Sequence, residues 1–78
     1  MKKCSYISNE ELHRIVCGNI KTYRLQKTMT QQQLAEAIDI SHEYVRQLES
    51  EKGQKEFSFY TLYKIAAVLE IPIDDFTK

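Results

Sequence analysis

The 78-residue sequence predicts an all-α fold of five helices. Three observations carry that prediction. Apolar residues recur three and four positions apart along each periodic stretch, the spacing that lines one face of a helix. Ser8, Thr30, Ser41 and Ser58 each stand just before such a stretch, where a hydroxyl serves as an N-cap. Asp39 and Pro72 stand where stretches end, Asp because it tolerates a left-handed backbone and Pro because it cannot continue a helix.

Residues 1–7 read as a flexible arm, with Lys2 and Lys3 free to meet phosphates or acidic groups. Ser8 opens the first helix. Ser8 and Glu11 form a capping box, Ile7 and Leu12 a hydrophobic staple, and Glu10 and Glu11 suit the positive end of the helix dipole. Leu12, Ile15, Val16, Ile20 and Tyr23 form its core face. Gly18 costs about 1 kcal/mol relative to Ala and marks a bend or a close helix crossing. Lys27-Thr28-Met29 closes the helix, with Met29 filling core beneath the turn.

Residues 31–50 read as helix, tight turn, helix. Thr30 and Gln33 form a capping box for the second helix. Ser41 caps the third, and Ile40 and Val45 sit where a staple closes over that cap. Leu34, Ala35, Ile38, Ile40, Val45 and Leu48 form the inner wedge, and Ala35 is small where two steeply crossing helices come closest. Ser58 to Glu70 forms the fourth helix, with Phe59, Leu62, Ile65, Ala66 and Leu69 inward and Phe57 stapled onto Leu62. Pro72 ends it, and Ile73 to Phe76 adds one last helical turn.

The totals bound the function. A chain this short forms one domain, residues 1–78, and buries only about 60% of its unfolded surface. No apolar run approaches the ~18 residues of a membrane span, and the N-terminal stretch has no apolar core of a secretory signal, so a cytoplasmic protein with no membrane partner is expected. Cys4 and Cys17 have no metal-ligand spacing and read as free thiols. His13 and Cys17 share a helix face, but no second ligand pair accompanies them, so no metal or cofactor is expected. Paired carboxylates, a Cys/His nucleophile pair and a phosphate-cradling glycine loop are all missing, which argues against an enzyme. Net charge is zero. It is distributed unevenly: residues 1–27 carry six Lys/Arg against two Glu, whereas residues 28–53 are net acidic.

Within residues 31–50, a small residue at the fifth slot and apolar residues at the fourth, eighth, tenth, fifteenth and eighteenth make the helix-turn-helix pattern. MTQQQLAEAIDISHEYVRQLE resembles the Cro/phage-repressor type of helix-turn-helix domain, and the likeness runs from about Gly18 to Phe76. One departure is Asp39 at a turn slot usually held by Gly. Another follows Glu49: Gly53 comes two residues later than the family pattern has it, and Phe57 stands where a Pro is usual, so the loop is about two residues longer. The resemblance implies a lambda-repressor-like five-helix domain whose first helix is extended at its N-terminus by residues 8–17. It also implies a bacterial or phage-type regulator of transcription that binds double-stranded DNA.

The resemblance assigns roles to particular residues. Arg24 matches a family arginine that pairs with a glutamate late in the third helix, here Glu49. Gln31 matches a phosphate-binding glutamine and Gln47 a base-contacting position. A major groove admits one helix, and the outward residues of the third helix suit it. Arg46 fits guanine O6 and N7, Gln47 adenine, Glu43 a cytosine amino group, and His42 a guanine acceptor or a phosphate. Backbone contacts are expected from Thr30, Gln31, Tyr44, Ser50, Lys52, Gln54 and Lys55, which fix register without reading sequence. Relatives bind inverted repeats as two-fold homodimers, with half-sites about 34 Å apart. Candidates for that contact are Tyr60, Tyr63, Ile71, Ile73 and Phe76, which alternatively complete the monomer core. Zero net charge and Glu43 keep a second reading open: an antitoxin-like or other interaction module that docks a regulatory partner protein.

Overall fold

The computed structural model describes residues 6–50 and 56–78. Within them the chain forms α1 (Asn9–Gln26), α2 (Gln31–Ala37), α3 (His42–Glu49) and α4 (Phe59–Leu69), followed by a 3-10 helix (Ile73–Thr77). Lys2, Lys3 and Cys4 of the expected arm lie outside the described residues, as do Gly53 and the loop contacts Lys52, Gln54 and Lys55.

Each α-helix begins on the hydroxyl expected to cap it. Ser8 Oγ accepts from Glu11 N at 3.1 Å, Ser41 Oγ from Tyr44 N at 3.0 Å and Ser58 Oγ from Thr61 N at 3.1 Å. Thr30 and Gln33 close the reciprocal box, with bonds of 3.0 and 2.8 Å. These bonds satisfy amides that have no partner inside a helix.

Three helices end in one way. Thr28 (φ 55°), Asp39 (φ 60°) and Glu70 (φ 59°) take the left-handed conformation just past α1, α2 and α4. The next residue then bonds back over the last turn: Met29 N to Arg24 O at 3.1 Å, Ile40 N to Ala35 O at 3.0 Å, and Ile71 N to Ala66 O at 3.1 Å. This is the Schellman geometry, which glycine usually supplies at no steric cost. None of the three positions holds glycine. Gly18 instead sits inside α1, and no neighbouring atom lies within 4 Å of where its Cβ would be. The helix is continuous through it, and the open space beside it rules out the expected close crossing.

The helices share one apolar cluster. Val16 and Ile20 of α1, the Leu34–Ala35–Ile38 face of α2, Val45 and Leu48 of α3, Leu62, Ile65, Ala66 and Leu69 of α4, and Phe76 meet in it. Two expected core residues are left partly or largely in solvent. Phe59 is 74% exposed and Leu12 37%. Both stand near the start of their helices, on the wall of an open groove of about 430 Å³ bounded by α1, α4 and the 3-10 helix. Phe76 moves the other way. It was a candidate for the contact between subunits, but its side chain is fully buried and its ring meets Tyr23 edge-on at 5.2 Å. Asn19 Nδ2 fastens the same segment by donating to Phe76 O at 2.8 Å. No described helix is long and apolar enough to cross a membrane.

Candidate functional site

The α2–α3 unit is built outward from its turn. Asp39 reverses the chain, and the bond from Ile40 N to Ala35 O holds the start of α3 against α2. Ala35, Val45 and Leu48 are buried beneath. Lys64 of α4 donates from Nζ to Ile38 O at 3.2 Å, a cation at the negative end of α2.

Under this unit lies an ion pair that ties three helices. Arg24 Nε donates to Glu49 Oε2 at 2.7 Å and Arg24 Nη2 to Oε1 at 2.9 Å, a two-pronged arrangement between α1 and α3. The third prong, Nη1, donates to Met29 O at 2.7 Å. Gln31 Nε2 of α2 also donates to Glu49 Oε1, at 3.1 Å. Both charged side chains are buried, 7% and 2% exposed. Burial of this kind is tolerated only because their hydrogen-bonding atoms find partners. The Met29 carbonyl and Gln31 are the members that sequence reasoning missed. Their contacts depend on how the turn after α1 meets α2, which no local pattern encodes.

From Gln31 the network reaches the surface. His42 Nε2 lies 3.3 Å from Gln31 Oε1, so the Gln31 side chain bridges a buried carboxylate and an exposed imidazole. The outer row of α3 follows: His42, Glu43 and Arg46 are exposed and Gln47 is half-buried. Glu43 accepts from Arg46 Nε at 3.2 Å, from Arg46 Nη2, and from Gln47 Nε2 at 3.2 Å. The Arg46 guanidinium bonded to it holds the Glu43 carboxyl below its ordinary range. Glu43 reciprocally pushes the Arg46 guanidinium up. The spacing of three and four residues permits this clamp, although sequence reasoning assigned the three side chains only to base edges.

The other expected contacts are placed around this row. Thr30 and Ser50 are exposed at the ends of α2 and α3. Tyr44 is half-buried, and its hydroxyl donates to Glu56 O at 3.2 Å, anchoring the chain that leads into α4. Tyr60 and Tyr63 lie on a separate surface of α4, 65% and 56% exposed, with rings stacked at 6.3 Å. Beside them Tyr63, Ala66, Ala67, Ile71 and Ile73 line an apolar groove of about 340 Å³. Among the described residues no three His, Cys, Asp or Glu side chains gather where a metal could be held.

Comparison with known proteins adds one family match and three similar solved structures. A family model described as helix-turn-helix matches residues 20–76. The crystal structure of the clp gene regulator ClgR from Corynebacterium glutamicum is 29% identical and superposes with a TM-score of 0.75, covering 83% of this chain and 67% of that one. The master regulator for biofilm formation SinR, solved in complex with DNA, is 27% identical with a TM-score of 0.73, covering 81% of this chain and 98% of that one. A hypothetical transcription factor from Neisseria, NHTF, shares the fold at 19% identity, with a TM-score of 0.77 over 97% of this chain and 84% of that one. No curated protein matches in sequence.

Proposed function

The chain belongs to the Cro/phage-repressor type of helix-turn-helix family, and from that membership we propose that it is a DNA-binding transcriptional regulator of the cytoplasm that represses by occupying an inverted repeat as a homodimer. In this reading α3 enters the major groove. His42, Glu43, Arg46 and Gln47 face base edges, and the side chains of Thr30, Gln31, Tyr44 and Ser50 meet phosphates. What supports this most is the outer row of α3, exposed and polar, above a buried tie from Arg24 to Glu49 to Gln31 that fixes its pose. SinR, the relative solved on DNA, supports the ligand class.

A second copy is supported by the α4 surface. Tyr60 and Tyr63 leave large apolar area in water, next to the groove walled by Ile71 and Ile73. An interaction module that docks a partner protein is the competing reading, and the acid-rich segment 28–53 favours it.

Selection of bound sites from a randomised duplex library, at moderate salt, separates the two. An enriched inverted repeat with half-sites about 34 Å apart is expected. About eight phosphate contacts per dimer give a log–log salt slope near −7, at about 0.9 per phosphate. A folded protein that enriches nothing at lowered salt refutes the regulator. Sedimentation as a monomer both free and on the selected site refutes the dimer.

A further inference from the structure

One carboxylate holds both of the side chains best equipped to read bases. Glu43 takes two hydrogen bonds from Arg46 and one from Gln47, all within about one turn of α3. The pair is more than half exposed, so water screens it and its effect on folding is small. Its larger effect falls on whatever approaches the helix. A guanidinium already neutralised by a carboxylate offers little net charge to a phosphate. A groove walled by phosphates also repels the carboxylate. If Arg46 turns to guanine O6 and N7, Glu43 loses its strongest donor. An amino hydrogen on a neighbouring cytosine replaces that donor, and a base edge of acceptors alone does not. The unfavourable contribution therefore depends on sequence. Discrimination by penalising wrong partners is an established route to specificity.

Resting on the proposed DNA-binding function, we infer that Glu43 is a specificity-determining residue: it weakens binding to every duplex, and most where no cytosine amino group faces it. The substitution Glu43→Gln tests this, because glutamine keeps the size and an acceptor oxygen but removes the charge. Dissociation constants are measured for wild type and E43Q on the selected site and on a scrambled duplex of equal length, across a salt series. The library selection is repeated with E43Q. Affinity for the scrambled duplex is expected to rise about tenfold and affinity for the selected site by a smaller factor, so that the ratio between the two duplexes falls. The salt slope on scrambled DNA steepens by about 0.9, as for one further phosphate neutralised. The selected motif loses its cytosine preference beside the guanine read by Arg46 and keeps that guanine. Equal shifts on both duplexes, or a retained cytosine preference, overturn the inference while the wild type still selects a site. A wild type that selects no site removes the DNA-binding reading itself, and the role of Glu43 with it.

Discussion

Replacing Arg24 with alanine should remove a large share of the protein's stability. The wild-type pair is buried on both sides, and Glu49 has a 2% exposed side chain. Arg24→Ala takes away both guanidinium bonds to Glu49 and the bond to Met29 O. Glu49 is left with the Gln31 amide as its donor, at 3.1 Å. Stranding one member of a buried pair costs about 3–5 kcal/mol. A chain of this length has roughly 4–12 kcal/mol of stability at 0.05–0.15 kcal/mol per residue. At about 4–8 °C per kcal/mol, the melting temperature falls by at least ~12 °C. Thermal unfolding followed by far-UV circular dichroism measures it, with urea titration as a second determination. Two further variants isolate the cause. Arg24→Met keeps most of the apolar stem and should be nearly as unstable as Arg24→Ala, since the stranded carboxylate is the same. Arg24→Met with Glu49→Leu removes both charges and should recover most of the loss. A melting temperature for Arg24→Ala within ~3 °C of wild type refutes the reasoning, because a buried carboxylate cannot lose those donors for so little.

The backbone and one thiol supply three more predictions. Gly18→Ala places a methyl group in open space on a continuous helix and should stabilise by about 0.8–1.0 kcal/mol; urea midpoints check it, and no gain means the site is not the free helix interior described. Thr28 is β-branched at φ 55°, so Thr28→Gly should relieve about 1–2 kcal/mol of left-handed strain, less what glycine's freedom in the unfolded chain takes back, and a net loss on thermal melting contradicts this. Burial, and secondarily the charge of Glu49, push the Cys17 thiol up from 9.0 to about 11. The folded chain thus holds that proton more tightly than the unfolded one. The stability this adds is complete below pH 9 and is lost as the pH rises toward 11. Melting temperature plotted against pH in that window should fall more steeply for wild type than for Cys17→Ala, and parallel curves dispose of the linkage.

Much of the fold was legible because its signals are local. Ser8, Thr30, Ser41 and Ser58 cap their helices within three residues, and spacing alone placed Leu34, Ala35, Ile38, Val45 and Leu48 in the core. Asp39 carried a recognisable tolerance for the left-handed turn. Thr28 and Glu70 adopt the same turn with no such tolerance, because the bonds back to Arg24 and Ala66 and the packing behind them decide it. Phe59 and Leu12 show the limit of periodicity. Each stands on an inward-facing stripe, but near a helix start where no neighbouring element covers it. In the site, the residue types on α3 were readable one by one. The clamp on Glu43 went unread although its spacing is local, and the bridge from Gln31 to Glu49 spans 18 positions and exists only once α2 and α3 are docked.

The fastening of Phe76 to α1 also sets an order in time. Asn19 and the Phe76 carbonyl it bonds are 57 positions apart. A ribosome adding about 5–20 residues per second needs roughly 3–11 s to pass from one to the other. Through that interval Ile20 and Tyr23 have been made, but the ring that will cover them has not. The α2–α3 unit, whose contacts are short-range, is complete in sequence well before then. The 3-10 helix can therefore close over the middle of α1 only after the chain as far as Phe76 has been made.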